Sequence, residues 1–136
     1  MTIVVTVGMV FSYGMPVFAV DSATDDPIQT KLQQVYDEIT SDETLHGADL
    51  AEAFIDYIAD TTDYSARYSS LNGILTTNSG DCWASVAYSN AQCEMAGFEV
   101  RTRNATADTG AGSGHRNSVV KVDGKYYIAD SGYSGT

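Results

Sequence analysis

Two stretches of the chain repeat apolar residues at helical spacing. Ile28, Leu32, Val35, Tyr36 and Ile39 fall on one face, which predicts an amphipathic helix over 27–40. Asp26 is a favourable N-cap, and Pro27 suits the first helical position, where no backbone N–H is needed. Leu50, Phe54, Tyr57 and Ile58 repeat the pattern and predict a second helix at about 48–60. A shorter helix is expected around Arg67–Leu75, followed by a loop at Thr76-Thr77-Asn78-Ser79-Gly80. A further helix is expected from Cys82 to Ala96, closed by Gly97 as its left-handed C′ residue, with apolar Phe98 behind it. After Gly97 the period becomes two, and Phe98 to Arg103 reads as a strand. Asn104 to Gly114 is polar and glycine-rich and is expected to be a loop. His115 to Val122 and Lys125 to Asp130 flank Asp123-Gly124, the pair favoured in a type I′ hairpin turn. Helices followed by an antiparallel sheet give an α+β fold, with N-terminal helices packed on a small antiparallel sheet.

The first twenty residues follow a different rule. Ile3 to Val20 carries no charge and is mostly apolar, with Gly8, Gly14 and Pro16 as breakers and a small-residue exit at Val17-Phe18-Ala19. This suits a signal peptide over 1–19 cleaved after Ala19, leaving residues 20–136 as one domain on a secreted or cell-surface protein. No Lys or Arg precedes the run, and the first basic residue is Lys31. The alternative is an uncleaved anchor, since the run is close to the roughly 18 residues that a span requires. A membrane is a partner only in that case.

Charge narrows the partners further. The 136 residues hold 18 acids against seven Lys and Arg, a net charge of −11. Nucleic acid and anionic lipid both demand clustered basic residues, so neither is expected as the main partner. Residues 21–66 hold 12 of the acids and one base, Lys31, whereas 67–136 hold six of each. The acidity belongs to the helical half and reads as a solvated face. Two cysteines cannot build a disulfide framework, and no zinc-type spacing occurs. The acidic stretch Asp21–Asp26 lacks the Gly and terminal Glu of a calcium loop. No metal or cofactor is called for.

Candidate chemistry centres on Cys82, which opens a predicted helix. The partial positive charge of a helix N-terminus favours thiolate over thiol. A thiolate becomes a controlled nucleophile beside a histidine, and the chain holds two, His46 and His115. His46 sits in an acidic, turn-rich stretch and reads as a solvated surface residue. His115 begins a strand after the glycine-rich run. A two-residue turn at Asp123-Gly124 sets Asn117 opposite Asp130 and His115 opposite Gly132. His115 and Asn117 then share a face with Asp130, diagonal to the imidazole at ~7 Å between Cα atoms. Asp130 is thereby placed to orient His115 in a Cys-His-Asp arrangement. A register slip of one residue would put the two on opposite faces. The bland readings are a buried apolar cysteine, a turn aspartate and, for Trp83, a core anchor. Cys93 is expected to be such a core thiol. It lies eleven residues beyond Cys82, ~16 Å along one helix, too far for a disulfide.

At these residues the chain resembles the transglutaminase-like superfamily. Gly80-Asp81-Cys82-Trp83, with the helix ending in Met95-Ala96-Gly97-Phe98-Glu99-Val100, looks like that family's nucleophile segment. Gly114-His115, leading into Val119-Val120-Lys121-Val122-Asp123-Gly124-Lys125-Tyr126-Tyr127-Ile128-Ala129-Asp130, looks like its histidine and aspartate segments. The resemblance covers about residues 50–133. It implies a papain-like fold with Cys82 as nucleophile, His115 as general base and acid, and Asp130 as orienter, in a bacterial-type secreted enzyme of the peptidase, amidase or acyltransferase kind. A peptide or protein substrate, such as a cell-wall or surface protein, follows. The oxyanion would meet the Cys82 N–H and one upstream donor. Tyr64, Trp83 and Asn117 are candidate oxyanion or substrate contacts, with simple packing the alternative for Tyr64. Two departures stand out. Asn117 occupies a position where the family often carries an aromatic residue, and the family's further strands after the aspartate are missing, as in a minimal or truncated domain. The alternative reading is an inactive surface or binding module that keeps the fold.

Overall fold

The computed structural model describes residues 26–107 and 112–131, and the side chains of 26–104 and 115–131. The signal segment expected over 1–19 and the acidic stretch before Asp26 lie outside these residues. The chain divides into two compact units, Met1–Gln33 and Gln34–Thr136. Of the first, only the opening turns of helix α1 (Pro27–Thr40) are described. Asp26 starts it as expected, its Oδ1 accepting from the Ile28 N–H at 2.9 Å.

The second unit continues α1 into α2 (Gly47–Thr61), the short strand β1 (Asp63–Tyr64), α3 (Leu71–Thr77), β2 (Ser79–Gly80), α4 (Cys82–Met95) and strands β3 (Glu99–Ala107), β4 (Gly112–Val122) and β5 (Lys125–Ala129). β3, β4 and β5 form an antiparallel sheet in that order. β1 and β2 form a separate parallel ribbon, pairing Tyr64 with Gly80. Helices packed on a small antiparallel sheet are the α+β arrangement that the periodicities predict.

Two local expectations are corrected. The short helix begins at Leu71, because Ser70 caps it by accepting from the Gly73 N–H, and it runs through Thr77 to a left-handed Asn78. The expected loop at 76–80 is therefore the end of a helix followed by a strand. Likewise Asn104–Ala107 and Gly112–Gly114, expected within a loop over 104–114, are strand, with Asn104 opposite Arg116 and Ala105 opposite His115; residues 108–111 lie outside the described residues. Ladder pairing with β4 outweighs the weak strand preference of this composition.

The hairpin is as expected. Asp123 and Gly124 both take positive φ, 52° and 81°, as a type I′ turn requires. The register sets Val122 against Lys125 and Ser118 against Ala129, which carries Asn117 opposite Asp130. One sheet face presents Val120 and Val122 to Ala51 and Phe54 of α2 and Cys93 of α4. Tyr36 stacks on Phe54 with ring centroids 5.8 Å apart. The helix α4 is tied to the sheet by hydrogen bonds as well. The buried Ser89 and Ser118 hydroxyls lie 3.1 Å apart, Ser118 Oγ donates to Asn90 Oδ1 at 2.7 Å, and Asn90 Nδ2 donates to Thr102 Oγ1 at 3.1 Å. Buried hydroxyls need such partners, and here each is supplied across the helix–sheet seam.

Candidate active site

Helix α4 starts at Cys82 because Asp81 caps it. Asp81 Oδ1 accepts from the Trp83 and Ala84 N–H groups at 2.9 and 3.0 Å, and its Oδ2 accepts from Ser69 Oγ. The preceding residue must be small. A Cβ on Gly80 would lie 2.6 Å from Ala84 Cβ and 3.2 Å from Ile74 Cβ. Gly80-Asp81-Cys82 is thus a close-packed entry followed by a capped helix start. The β1–β2 ribbon holds it in place, with the Ser65 N–H donating to the Gly80 carbonyl at 2.9 Å and the Asp81 N–H to the Tyr68 carbonyl at 2.9 Å.

On the sheet, His115 Nε2 lies 2.6 Å from Asp130 Oδ2, and His115 is 5% exposed. The diagonal placement expected from the hairpin register is thus closed by a direct hydrogen bond. The bond engages Nε2 of the imidazole with the carboxylate and fixes the orientation of the ring. Asp130 also accepts from Asn117 Nδ2 at 3.3 Å, and Asn117 Oδ1 accepts from Arg103 Nε at 3.0 Å. The network therefore runs from Arg103 on β3 through Asn117 on β4 to Asp130 and His115.

The sequence neighbours of Cys82 and His115 touch. The Arg116 guanidinium carbon lies 3.4 Å from the centroid of the Trp83 ring. Trp83 follows Cys82 and Arg116 follows His115, so one contact joins the start of α4 to the histidine end of β4. Cys82 is partly exposed, whereas Cys93 is buried in the core, and neither is in a disulfide. Burial pushes the Cys93 thiol up to about 12, which keeps it protonated and inert. The core placement of Cys93 is the one expected from sequence.

The remaining candidates are placed differently. Trp83 is 47% exposed and stacks on Arg116, so it is not a core anchor. Tyr64 is 77% exposed, so it does not pack in the core; the ribbon sets its backbone against Gly80, two residues before Cys82. Asn117 is buried, with both ends of its amide used inside the network, so it stands behind the His–Asp pair and is no surface for substrate. His46 is exposed and makes no side-chain cap at the start of α2. Arg103 and Arg116 contact the candidates Asn117 and Trp83 without having been singled out as site residues, and Gly80 and Asp81 entered only as part of the segment around Cys82. The cap signal of Asp81 before a helical run was legible; the two arginine contacts depend on side-chain geometry that no periodicity encodes. A cleft of about 320 Å³ lies alongside, lined by Ile55, Glu52 and Asp56 of α2 and by Tyr127, Ala129 and Asp130.

No family model and no curated protein matches the chain. Solved structures do. One described as a TGase superimposes with a TM-score of 0.69 at 14% identity, covering 87% of this chain and 37% of its own. Another, reported as "a Putative Cysteine Protease from Cytophaga hutchinsonii", gives 0.66 at 17% identity, covering 76% of this chain and 37% of its own. The chain spans little more than a third of the length of either. Its own fold is the transglutaminase-like, papain-like α+β fold, a scaffold it shares with structures of cysteine-enzyme type.

Proposed function

We propose that the chain is a secreted cysteine-dependent enzyme acting on amide bonds of peptides or proteins, as a peptidase or amidase. The observation that carries this reading is the buried His115–Asp130 hydrogen bond of 2.6 Å, on a strand whose next residue stacks against the neighbour of Cys82. The uncharged run at Ile3–Val20 supports secretion.

In this reading Cys82 gives its proton to His115 Nδ1 and its sulfur attacks the scissile carbonyl carbon. The oxyanion meets the Cys82 N–H at the positive end of α4, with exposed Tyr64 as the upstream donor. Collapse of the tetrahedral intermediate breaks the C–N bond, and His115 hands its proton to the leaving amine. The thioester is then hydrolysed by water that His115 deprotonates, and the proton returns to the sulfur as the acid leaves. Asp130 fixes the imidazole tautomer and stabilises the imidazolium. An amine in place of water would make the same site a crosslinking acyltransferase.

The test is the rate of Cys82 alkylation by iodoacetamide against pH, in the wild type and in His115→Ala. An activated thiolate reacts below the pH range of free cysteine and loses that advantage without the histidine. A thiol that titrates as free cysteine and ignores His115 would falsify the catalytic reading and leave an inactive surface module. With activation established, incorporation of a primary amine into a glutamine peptide identifies acyl transfer; cleavage without incorporation identifies hydrolysis.

A further inference from the structure

We propose that Arg116 forms an anion subsite beside Cys82, so that the substrate carries a carboxylate next to the scissile amide. The proposal deepens the reading of Cys82 and His115 as the reacting pair.

Arg116 occupies an unusual electrostatic position. The protein carries a net charge of −11, yet among the described residues no carboxylate pairs with this guanidinium. Its Nε is buried and has no hydrogen-bond partner. An unpartnered buried donor in a cation is unfavourable and calls for an explanation. Among the described residues, no other cation of this half has a buried nitrogen without a partner. Arg103 donates to Asn117, Lys121 lies 3.9 Å from Glu99, and Arg101 sits over Tyr126.

The two acids nearest the site are already committed. Asp81 accepts from Trp83, Ala84 and Ser69, and Asp130 from His115 and Asn117. Neither forms an ion pair with Arg116 among the described residues. The Trp83 ring, 3.4 Å from the guanidinium carbon, holds the guanidinium beside the start of α4. A planar fork held this way matches a carboxylate. It stands one residue from Cys82 through Trp83 and one residue from His115 by sequence. A carboxylate held there places an adjoining amide at the thiol.

Two alkylating reagents that differ in charge test this directly. Iodoacetate and iodoacetamide react with the same sulfur, and mass spectrometry of the Cys82 peptide reads each rate. Cys93 stays silent because it is buried and protonated. A net charge of −11 by itself slows iodoacetate relative to a small thiol. The expected result is the reverse: an iodoacetate-to-iodoacetamide ratio about tenfold above that of Arg116→Gln, above that of N-acetylcysteine amide, and falling with salt. Arg116→Lys is expected to keep only part of the preference. A wild-type ratio at or below that of N-acetylcysteine amide overturns the proposal even if the glutamine variant does not fold. Taking the ratio cancels the intrinsic reactivity of the thiol, so a slow, unactivated Cys82 with a high ratio sinks the catalytic reading and leaves the anion site standing. Protection of Cys82 from iodoacetamide by N-acetylalanine, or by N-acetylglutamate α-amide, then assigns a chain-end or a side-chain carboxylate. Protection by neither overturns the subsite.

Discussion

Substituting Gly80 by alanine is expected to destabilise the protein through a single steric conflict. The backbone there does not take a positive φ, so an alanine can adopt it and the objection is one of space. The new methyl would stand 2.6 Å from Ala84 Cβ, against 3.4 Å or more in ordinary contact. Ala84 has no rotamer to escape into, and Ile74 Cβ, also fixed to backbone, closes a second side at 3.2 Å. The first turn of α4 must therefore move away from α3. Overpacking of this kind costs about 1–3 kcal/mol, and for a domain near this size it lowers Tm by roughly 10 °C. Ala84→Gly alone costs about 1 kcal/mol in helix propensity but removes the atom at 2.6 Å. The double variant is therefore expected to be more stable than the sum of the single effects by about 1 kcal/mol or more. Urea unfolding of the four proteins measures this. A Gly80→Ala change within about 0.5 kcal/mol of wild type, or strict additivity, would refute the packing argument.

Asn117→Ala removes the acceptor of Arg103 and one donor of Asp130 while leaving the His115 bond. Stability is expected to fall by about 1–3 kcal/mol in urea, and any amidase turnover to fall in kcat more than in KM, because Asn117 touches no substrate. Cys93 provides a pH signature. Its folded pKa is raised to about 12 from an ordinary value of 9.0, so between these values the folded state holds a proton that the unfolded state has lost. Its stabilisation is complete below pH 9 and declines as pH rises towards 12. Tyr88, raised by burial, adds to the same slope. Cys93→Ala is expected to flatten the decline in Tm between pH 8 and pH 10.5, and an unchanged slope would count against a buried neutral thiol.

Much of the site was legible because it rests on short-range rules. The Asp123-Gly124 turn fixes the hairpin register, and register fixes which residues share a face, so the pairing of His115 with Asp130 follows from counting. Helix boundaries at Pro27 and Cys82 follow from aspartate caps. The β1–β2 ribbon was not legible. Two-residue strands carry no periodicity, and their parallel pairing depends on where α3 turns the chain. The strand character of Asn104–Ala107 was hidden for a related reason, since polar composition argues for a loop and only the partner strand overrides it. Arg103 and Asn117 lie opposite each other on adjacent strands, a relation set by the β3–β4 register that no turn in the sequence announces. Trp83 and Asn117 exchange their expected surroundings, the aromatic lying at the surface and the amide inside, because each follows a specific partner in place of its average polarity.

The hydroxyl ladder between α4 and the sheet also acts as a mechanical pivot. Apolar contacts let a helix slide; the bonds from Ser89 and Asn90 to Ser118 and Thr102 are directional and remove that freedom. Cys82 lies seven residues from Ser89, a lever of ~10 Å at 1.5 Å per residue. A tilt of ~5° about the pivot swings the sulfur by ~1 Å, a displacement that can slow a positioned reaction a hundredfold. The placement of Cys82 relative to the sheet that carries His115 therefore depends on two serines, an asparagine and a threonine seven or more residues along from the thiol.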